Sequence, residues 1–279
     1  MRTLCSLLRI AAILLLISAP LAAWAQDEPA PADTTQPAAR VTPGGGFHRL
    51  FLSFIEEATV VENQWWEGRF DYAEGDQEDV TILDGVFAFQ PWQNVGVGAH
   101  VGFGNSDISG ADSDLGGSGA TDLDLWGKYF FGTGSGVTEF AAGGILTVPT
   151  GDDSAGLGFD AFAFAGFGSL RRPFRNWILS VDAGAQFNAD GRTFGVDIDG
   201  ETSFFLGGAA LFPTSDRVGF VVETKYQSER FDGLDADWQV LGGANWRVTN
   251  RGMIRGAAAV GLTDGAPDWQ ILIGYAANL

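Results

Sequence analysis

The last twelve residues, read in steps of two, place Trp269, Ile271, Ile273, Tyr275, Ala277 and Leu279 on one side and Gln270, Leu272, Gly274, Ala276 and Asn278 on the other. This is the period of a strand, whose successive side chains point to opposite faces. No helical pattern follows to cover the apolar face, so that face needs another partner, and lipid fits. A sheet sits in hydrocarbon only when it closes on itself, because an open edge would leave unpaired backbone groups at several kcal/mol each. The stretch therefore predicts the closing strand of a membrane barrel, against the alternative of the last strand of a soluble sandwich.

The same alternation recurs upstream and predicts twelve strands, over 64–72, 79–90, 95–104, 121–131, 137–148, 158–170, 177–188, 202–212, 218–227, 238–248, 253–262 and 268–279. Links at 91–94, 132–136, 171–176, 213–217 and 249–252 are short and carry Pro, Gly, Asn and Asp, the residues that tight turns need. The links at 73–78, 105–120, 149–157, 189–201, 228–237 and 263–267 are mostly longer and hold much of the acid. An even strand number with short turns at one end and long loops at the other is the arrangement of outer-membrane barrels, with the turns and both termini on the periplasmic side. The fold class is thus all-β, a transmembrane antiparallel up-and-down β-barrel.

Alternation also assigns faces. In the seventh strand Trp177, Leu179, Val181, Ala183, Ala185 and Phe187 oppose Ser180, Asp182, Gly184, Gln186 and Asn188. In the ninth, Val218, Phe220, Val222, Thr224 and Tyr226 oppose Glu223, Lys225 and Gln227. The sixth and eighth strands, with Phe162, Phe164 and Phe167 and with Phe204, Phe205 and Leu206, are apolar on both faces, and periodicity leaves their direction open. A Lys or Arg at the bilayer midplane costs about 2–4 kcal/mol, so charge faces inward. The predicted lumen lining is Glu67, Arg69, Asp71, Asp84, His100, Asp122, Asp124, Lys128, Glu139, Asp182, Gln186, Glu223, Lys225, Asn245, Arg247 and Arg255. Unpaired charge is costly in a narrow interior, so Lys128, Lys225, Arg69 and Arg255 are expected to pair with inward carboxylates. The alternative role for such pairs is to brace a filled lumen.

Two aromatic girdles follow from the same assignment. Trp66, Phe89, Tyr129, Phe131, Phe140, Trp177, Phe212 and Trp246 fall near the turn end, and Tyr72, Phe103, Phe187, Tyr226, Trp238 and Trp269 near the loop end. Rings with an apolar body and a polar edge favour both membrane interfaces.

Ahead of the strands, 47–58 has apolar residues at Phe47, Leu50, Phe51, Phe54, Ile55 and Ala58, the spacing of a helix. This amphipathic lead-in, 47–63, either lies on the inner leaflet or plugs the barrel mouth. An extended approach to the first strand is the other reading. Residues 26–46 are rich in Pro, Ala, Thr and Gly and read as a disordered periplasmic leader. Arg2 and Arg9, the apolar run to Ala19 and Ala23-Trp24-Ala25 form a signal peptide cut after Ala25, leaving 64–279 as the barrel. No second apolar run of about 20 residues follows, which removes helical spans. The single cysteine, Cys5, lies in the signal, so disulfides and a lipidated cysteine are not expected in the mature chain.

Composition sharpens this picture. Forty glycines and 22 phenylalanines among 279 residues, with 18% charged, suit a barrel wall better than a soluble globule. Removal of Arg2 and Arg9 takes the net charge from −19 to −21. Clustered Lys and Arg on one face, which nucleic acid needs, is missing. His48 and His100 are the two histidines, and His100 reads as an inward polar residue rather than part of a triad. The acid pairs Asp122 with Asp124 and Asp152 with Asp153 fall short of the six to eight oxygens of a calcium site. No catalytic site, metal or cofactor is assigned, and the chain does not read as an enzyme.

Four segments resemble one known group. They are Thr121-Asp122-Leu123-Asp124-Leu125-Trp126-Gly127-Lys128-Tyr129; Val148-Pro149-Thr150-Gly151-Asp152; Gly261-Leu262-Thr263-Asp264-Gly265-Ala266-Pro267-Asp268-Trp269; and Glu57-Ala58-Thr59-Val60-Val61-Glu62-Asn63-Gln64-Trp65. In order and over 57–279, the chain resembles the outer-membrane transporter family named for the meta-pathway of phenol degradation. The resemblance implies a monomeric barrel passing small hydrophobic or aromatic compounds across the outer membrane. A final aromatic residue is usual there and Leu279 stands in its place, which bears on assembly more than on fold.

The expected function is therefore an outer-membrane channel or transporter for small solutes, with a narrow charged lumen, in a Gram-negative bacterium. Its expected partners are outer-membrane lipid, a small-molecule solute and the barrel assembly machinery, with no nucleic acid and a monomeric state. The alternative is a structural or surface-interaction barrel with a filled lumen and acidic, ion-binding outer loops.

Overall fold

A computed structural model describes residues 49–59, 64–75, 78–108, 116–132 and 138–279. The signal peptide, the leader and residues 47–48 and 60–63 of the lead-in lie outside them.

The strands are β1 (Gln64–Glu74), β2 (Glu78–Trp92), β3 (Val95–Ile108), β4 (Gly116–Ala120), β5 (Leu123–Gly132), β6 (Glu139–Val148), β7 (Ala163–Pro173), β8 (Ile178–Asn188), β9 (Gly191–Thr193), β10 (Val196–Ile198), β11 (Thr202–Pro213), β12 (Val218–Gln227), β13 (Asp237–Arg247), β14 (Gly252–Gly261) and β15 (Trp269–Asn278). All wall pairings are antiparallel between chain neighbours, and β1 pairs with both β2 and β15, from Trp65 opposite Asn278 to Glu74 opposite Trp269. The C-terminal strand therefore closes the barrel. β4 and β5 both pair with β3 and form one wall strand interrupted at 121–122, so the described residues build a wall of twelve strands. β9 and β10 form a separate ribbon in the link between β8 and β11.

The wall has the polarity that alternation predicts. Leu83, Phe103 and Phe204 are more than 60% exposed on the outside, while Glu67, Asp182, Glu223 and Arg255 are at most 3% exposed on the inside. So wide an apolar belt on the outer surface is made for hydrocarbon. The girdle residues all point outward. Phe89, Tyr129, Phe131, Phe140 and Trp246 are exposed toward the turn end, and Phe103, Phe187, Tyr226 and Trp238 toward the loop end. Trp66, Tyr72 and Trp177 are half-buried against Tyr275, Trp269 and Phe212 respectively.

Three boundaries differ from the sequence reading. β2 and β3 run for 15 and 14 residues, and β4 adds a rung over 116–120, inside what reads as a loop. These Gly- and Ser-rich residues carry no alternation, but their backbones still pair beyond the apolar band, which about 10 residues per strand already span. The sixth wall strand starts at Ala163 rather than 158, because Phe159 and Phe162 give their backbone groups to the outer loops. β7 continues to Pro173, so Arg171 lies in the wall and not in a turn.

The two ambiguous strands are resolved by their neighbours. Phe162, Phe164, Phe204 and Leu206 face out, whereas Phe167 and Phe205 are about 5–6% exposed inside. Each inward ring lies over a glycine of the adjacent strand: Gly143 is opposite Phe167, and Gly184 is opposite both Phe167 and Phe205. A Cβ on Gly143 would come 2.5 Å from the Phe167 ring, so large and small residues alternate around this level of the wall.

Candidate functional site

The predicted lead-in helix does not form. Residues 49–59 run as bends and turns with one helix-like bond, from the Glu57 amide to the Ser53 carbonyl, 2.9 Å. They sit inside the barrel as a plug, one of the two placements that the spacing allows. Leu50 and Phe51 pack on Ile178, Leu211, Val221, Leu241 and Leu272, and Phe54 on Trp65, Trp126 and Met253. Ile55 packs against the inward rings of Phe167 and Phe205. The inner wall is thus polar with apolar patches where the plug docks. The helical spacing of the segment reflects contacts on several sides of the lumen rather than one face of a helix.

A helix would satisfy its own backbone; here the wall does so. Glu223 accepts from the amides of Phe51, at 2.8 Å, and Ser53, at 2.5 Å. Asn245 Nδ2 and Arg255 Nη2 donate to the Arg49 carbonyl at 3.1 and 3.0 Å, and Arg255 also donates to that of Leu50. Arg69 reaches the carbonyl of Phe51, Lys225 that of Leu52, and Lys128 those of Ile55 and Glu57, at 3.0 and 2.7 Å. Buried backbone groups need such partners, and bonds to charged side chains contribute about 1.5–3 kcal/mol each.

The expected ion pairs form in part. Arg69 binds Asp84 at 2.8 Å, and Arg255 binds Glu67 and the Asn245 side chain. Lys225 pairs instead with Glu56 of the plug, at 2.8 Å, and Lys128 spends its ammonium on plug carbonyls. Those two expectations of wall-to-wall pairs are corrected: the plug brings its own acceptors nearer than any wall carboxylate. Asp182, 1% exposed, has Glu56, Lys225 and Glu223 as its charged neighbours. Glu139 faces Arg171 at 3.7 Å.

Loopward of the plug the lining is acid and amide. His100 lies 3.5 Å from Asp124 and 3.8 Å from Asp84, and Asp124 also accepts from Thr147. Gln270 donates to Asp71, and Gln186 joins Gln227 and Asn188. Arg247 is half-buried at the turn end, its amide donating to the Arg217 carbonyl.

Asp122 differs from the rest of the set. It accepts from the amides of Gly151 and Phe159, at 2.9 and 3.2 Å, and so ties down the 149–162 loop. In that loop, bonds from the Ser154 hydroxyl and the Ala155 amide hold the Asp152 carboxyl below its usual pKa. Nearby, Phe159 stacks on Phe231 at 4.7 Å and Arg230 lies over both rings. Burial lowers the Arg230 pKa, against the raising effect of Asp124, Asp122 and Asp237. Asp122→Ala should leave the barrel intact and free this loop. Limited proteolysis should then cleave within 149–162 about tenfold faster, the equivalent of ~1–2 kcal/mol; unchanged cleavage would contradict the tie.

Sequence reasoning missed the plug residues Arg49, Ser53, Glu56 and Glu57, all at most 4% exposed, and Arg171, which lies 3.6 Å from Glu57. Arg171 shares the parity of Phe167 and Ser169, a signal hidden by the apolar second face of that strand. Among the described residues no group of three or more His, Cys, Asp and Glu is arranged to hold a metal ion.

A closed antiparallel wall, apolar outside and charged within, defines a transmembrane β-barrel of the outer-membrane type. Solved structures agree. The chain superposes on an outer membrane channel from Pseudomonas putida F1 with TM-score 0.65 and 16% identity, over 84% of this chain and 98% of that one. The KdgM porin, solved in complex with disordered oligogalacturonate, follows at 0.54 and 10%, over 77% and 99%. The NanC porin gives 0.51 and 11%, over 77% and 100%. At such identities the likeness is one of fold. No protein-family model matches the chain, and no curated protein matches it.

Proposed function

We propose that the protein is an outer-membrane channel for small solutes whose passage is set by the plug at 49–59 and the charged wall that holds it. The observation that carries this reading is the use of Glu223, Arg255, Lys225, Lys128 and Arg69 on the plug backbone. Twelve strands enclose more room than the eight whose side chains fill a barrel and less than open porins of sixteen. With the plug in place, solute passes on this reading along the loopward lining at His100 and Asp124, whose side chains keep about a quarter of their surface exposed. The resemblance to the phenol meta-pathway family adds small hydrophobic or aromatic compounds as the solute class. A Gram-negative outer membrane, delivery by the barrel assembly machinery and a monomeric state belong to the same proposal.

The buried plug also favours a second reading, a structural barrel with a filled lumen. Planar-bilayer recordings and solute uptake into liposomes separate the two. The channel reading expects resolvable current and uptake by the folded barrel; silence in both assays overturns it in favour of the filled barrel.

A further inference from the structure

Charge is unevenly divided between the two ends of the barrel. The loop end exposes Asp190, Asp197, Asp199, Asp232, Asp235 and Asp264. The turn end instead exposes Arg172, Arg175, Arg217 and Arg251, with Asp216 among them. These arginines sit at the turn-end links between β7 and β8, β11 and β12, and β13 and β14, which are successive around the wall. None of the four pairs with a carboxylate among the described residues, unlike exposed Arg192 at the loop end, which binds Asp197 at 2.9 Å.

One of them is mounted on the outer face. Arg171 and Arg172 are adjacent in β7 and so point to opposite sides, Arg171 into the lumen and Arg172 toward lipid. The Arg172 guanidinium lies 5.4 Å from the centroid of Phe174. Phe174 stacks on Trp177 at 4.4 Å and 10°, and Trp177 on Phe212 at 6.5 Å. A guanidinium lying on an aromatic face keeps its in-plane N–H donors free at the edge, in the fork that matches two phosphate oxygens. Trp177 and Phe212, on which Phe174 rests, belong to the turn-end girdle, the depth at which lipid headgroups meet the acyl region.

We propose that this face is a binding site for an anionic glycerophospholipid of the leaflet at the turn end. Its phosphate sits between Arg172 and Arg175, and its acyl chains lie along the outward residues Leu179 and Phe220. Arg217 and Arg251 extend the attraction around the rim. Phosphorylated lipid A offers the same group, but it belongs to the leaflet at the loop end, where the exposed carboxylates repel it. The site is independent of the channel reading, since none of its residues lines the lumen.

Native mass spectrometry of the full barrel in detergent tests the site, with dioleoylphosphatidylglycerol as probe against dioleoylphosphatidylcholine and lipid A. The wild-type barrel should retain phosphatidylglycerol about tenfold or more over phosphatidylcholine. In R172Q/R175Q that retention should fall by roughly fivefold for each arginine, with phosphatidylcholine unchanged. Heat-modified mobility on gels identifies folded barrels; if the double variant fails there, R172Q alone carries the comparison. Equal retention of the two phospholipids by the wild type overturns the site. So does unchanged phosphatidylglycerol retention in a folded variant, or displacement of phosphatidylglycerol by lipid A.

Discussion

Glu223→Ala should raise single-channel conductance several-fold and make it noisy. The carboxylate of Glu223, 1% exposed, holds the plug through the amides of Phe51 and Ser53. Removing it strands both amides at a cost of roughly 3 kcal/mol in all, about a hundredfold in the ratio of released to docked plug. Release is partial, because Arg255, Lys225 and Lys128 keep hold of neighbouring carbonyls. Glu223→Gln retains one acceptor oxygen and should lie between the two. A role confined to bracing predicts a different outcome: lower heat resistance of the folded barrel with conductance and ion selectivity unaltered. That result in both variants would sink the plug mechanism.

Arg255→Ala should be the most destabilising single change in the lumen. Its guanidinium, 1% exposed, joins Glu67 on β1, Asn245 on β13 and two carbonyls of the plug, across the seam where β15 closes the wall. It also lies 4.4 Å from the Phe51 ring centroid. Breaking a buried pair leaves a bare charge, here Glu67 at 3% exposure, at a cost of about 3–5 kcal/mol. The heat-modified band should therefore convert to the unfolded form at a clearly lower temperature. Replacing both members, Glu67→Gln with Arg255→Met, removes the stranded charge and should recover much of the loss. If the single variant resists heat like the wild type, or the double variant is worse, the buried pair is not what secures the closure.

Most of the wall was legible in the sequence because its cause is local. Lipid on one side and a charged interior on the other impose a period of two, and that period shows in 177–188, 218–227 and 268–279 without knowledge of any partner. The inward placement of Glu67, Asp84, Lys128, Asp182, Glu223 and Arg255 follows from it directly. The signal weakens where the environment is the same on both faces of a strand. At Phe167 and Phe205 the glycines opposite them, Gly143 and Gly184, make the room that lets these rings turn inward.

The lumen's contents were set by tertiary structure. The spacing of 47–58 satisfies a helix, yet the bonds that govern its backbone come from residues as far along the chain as Glu223, Asn245 and Arg255. No local pattern encodes a partner some 170 to 205 positions away. For the same reason alternation could place Lys128 and Lys225 inside but not name what they bind. A side chain's face is determined by its neighbours in sequence and the solvent on each side, whereas its partner is determined only once the barrel has closed around the plug.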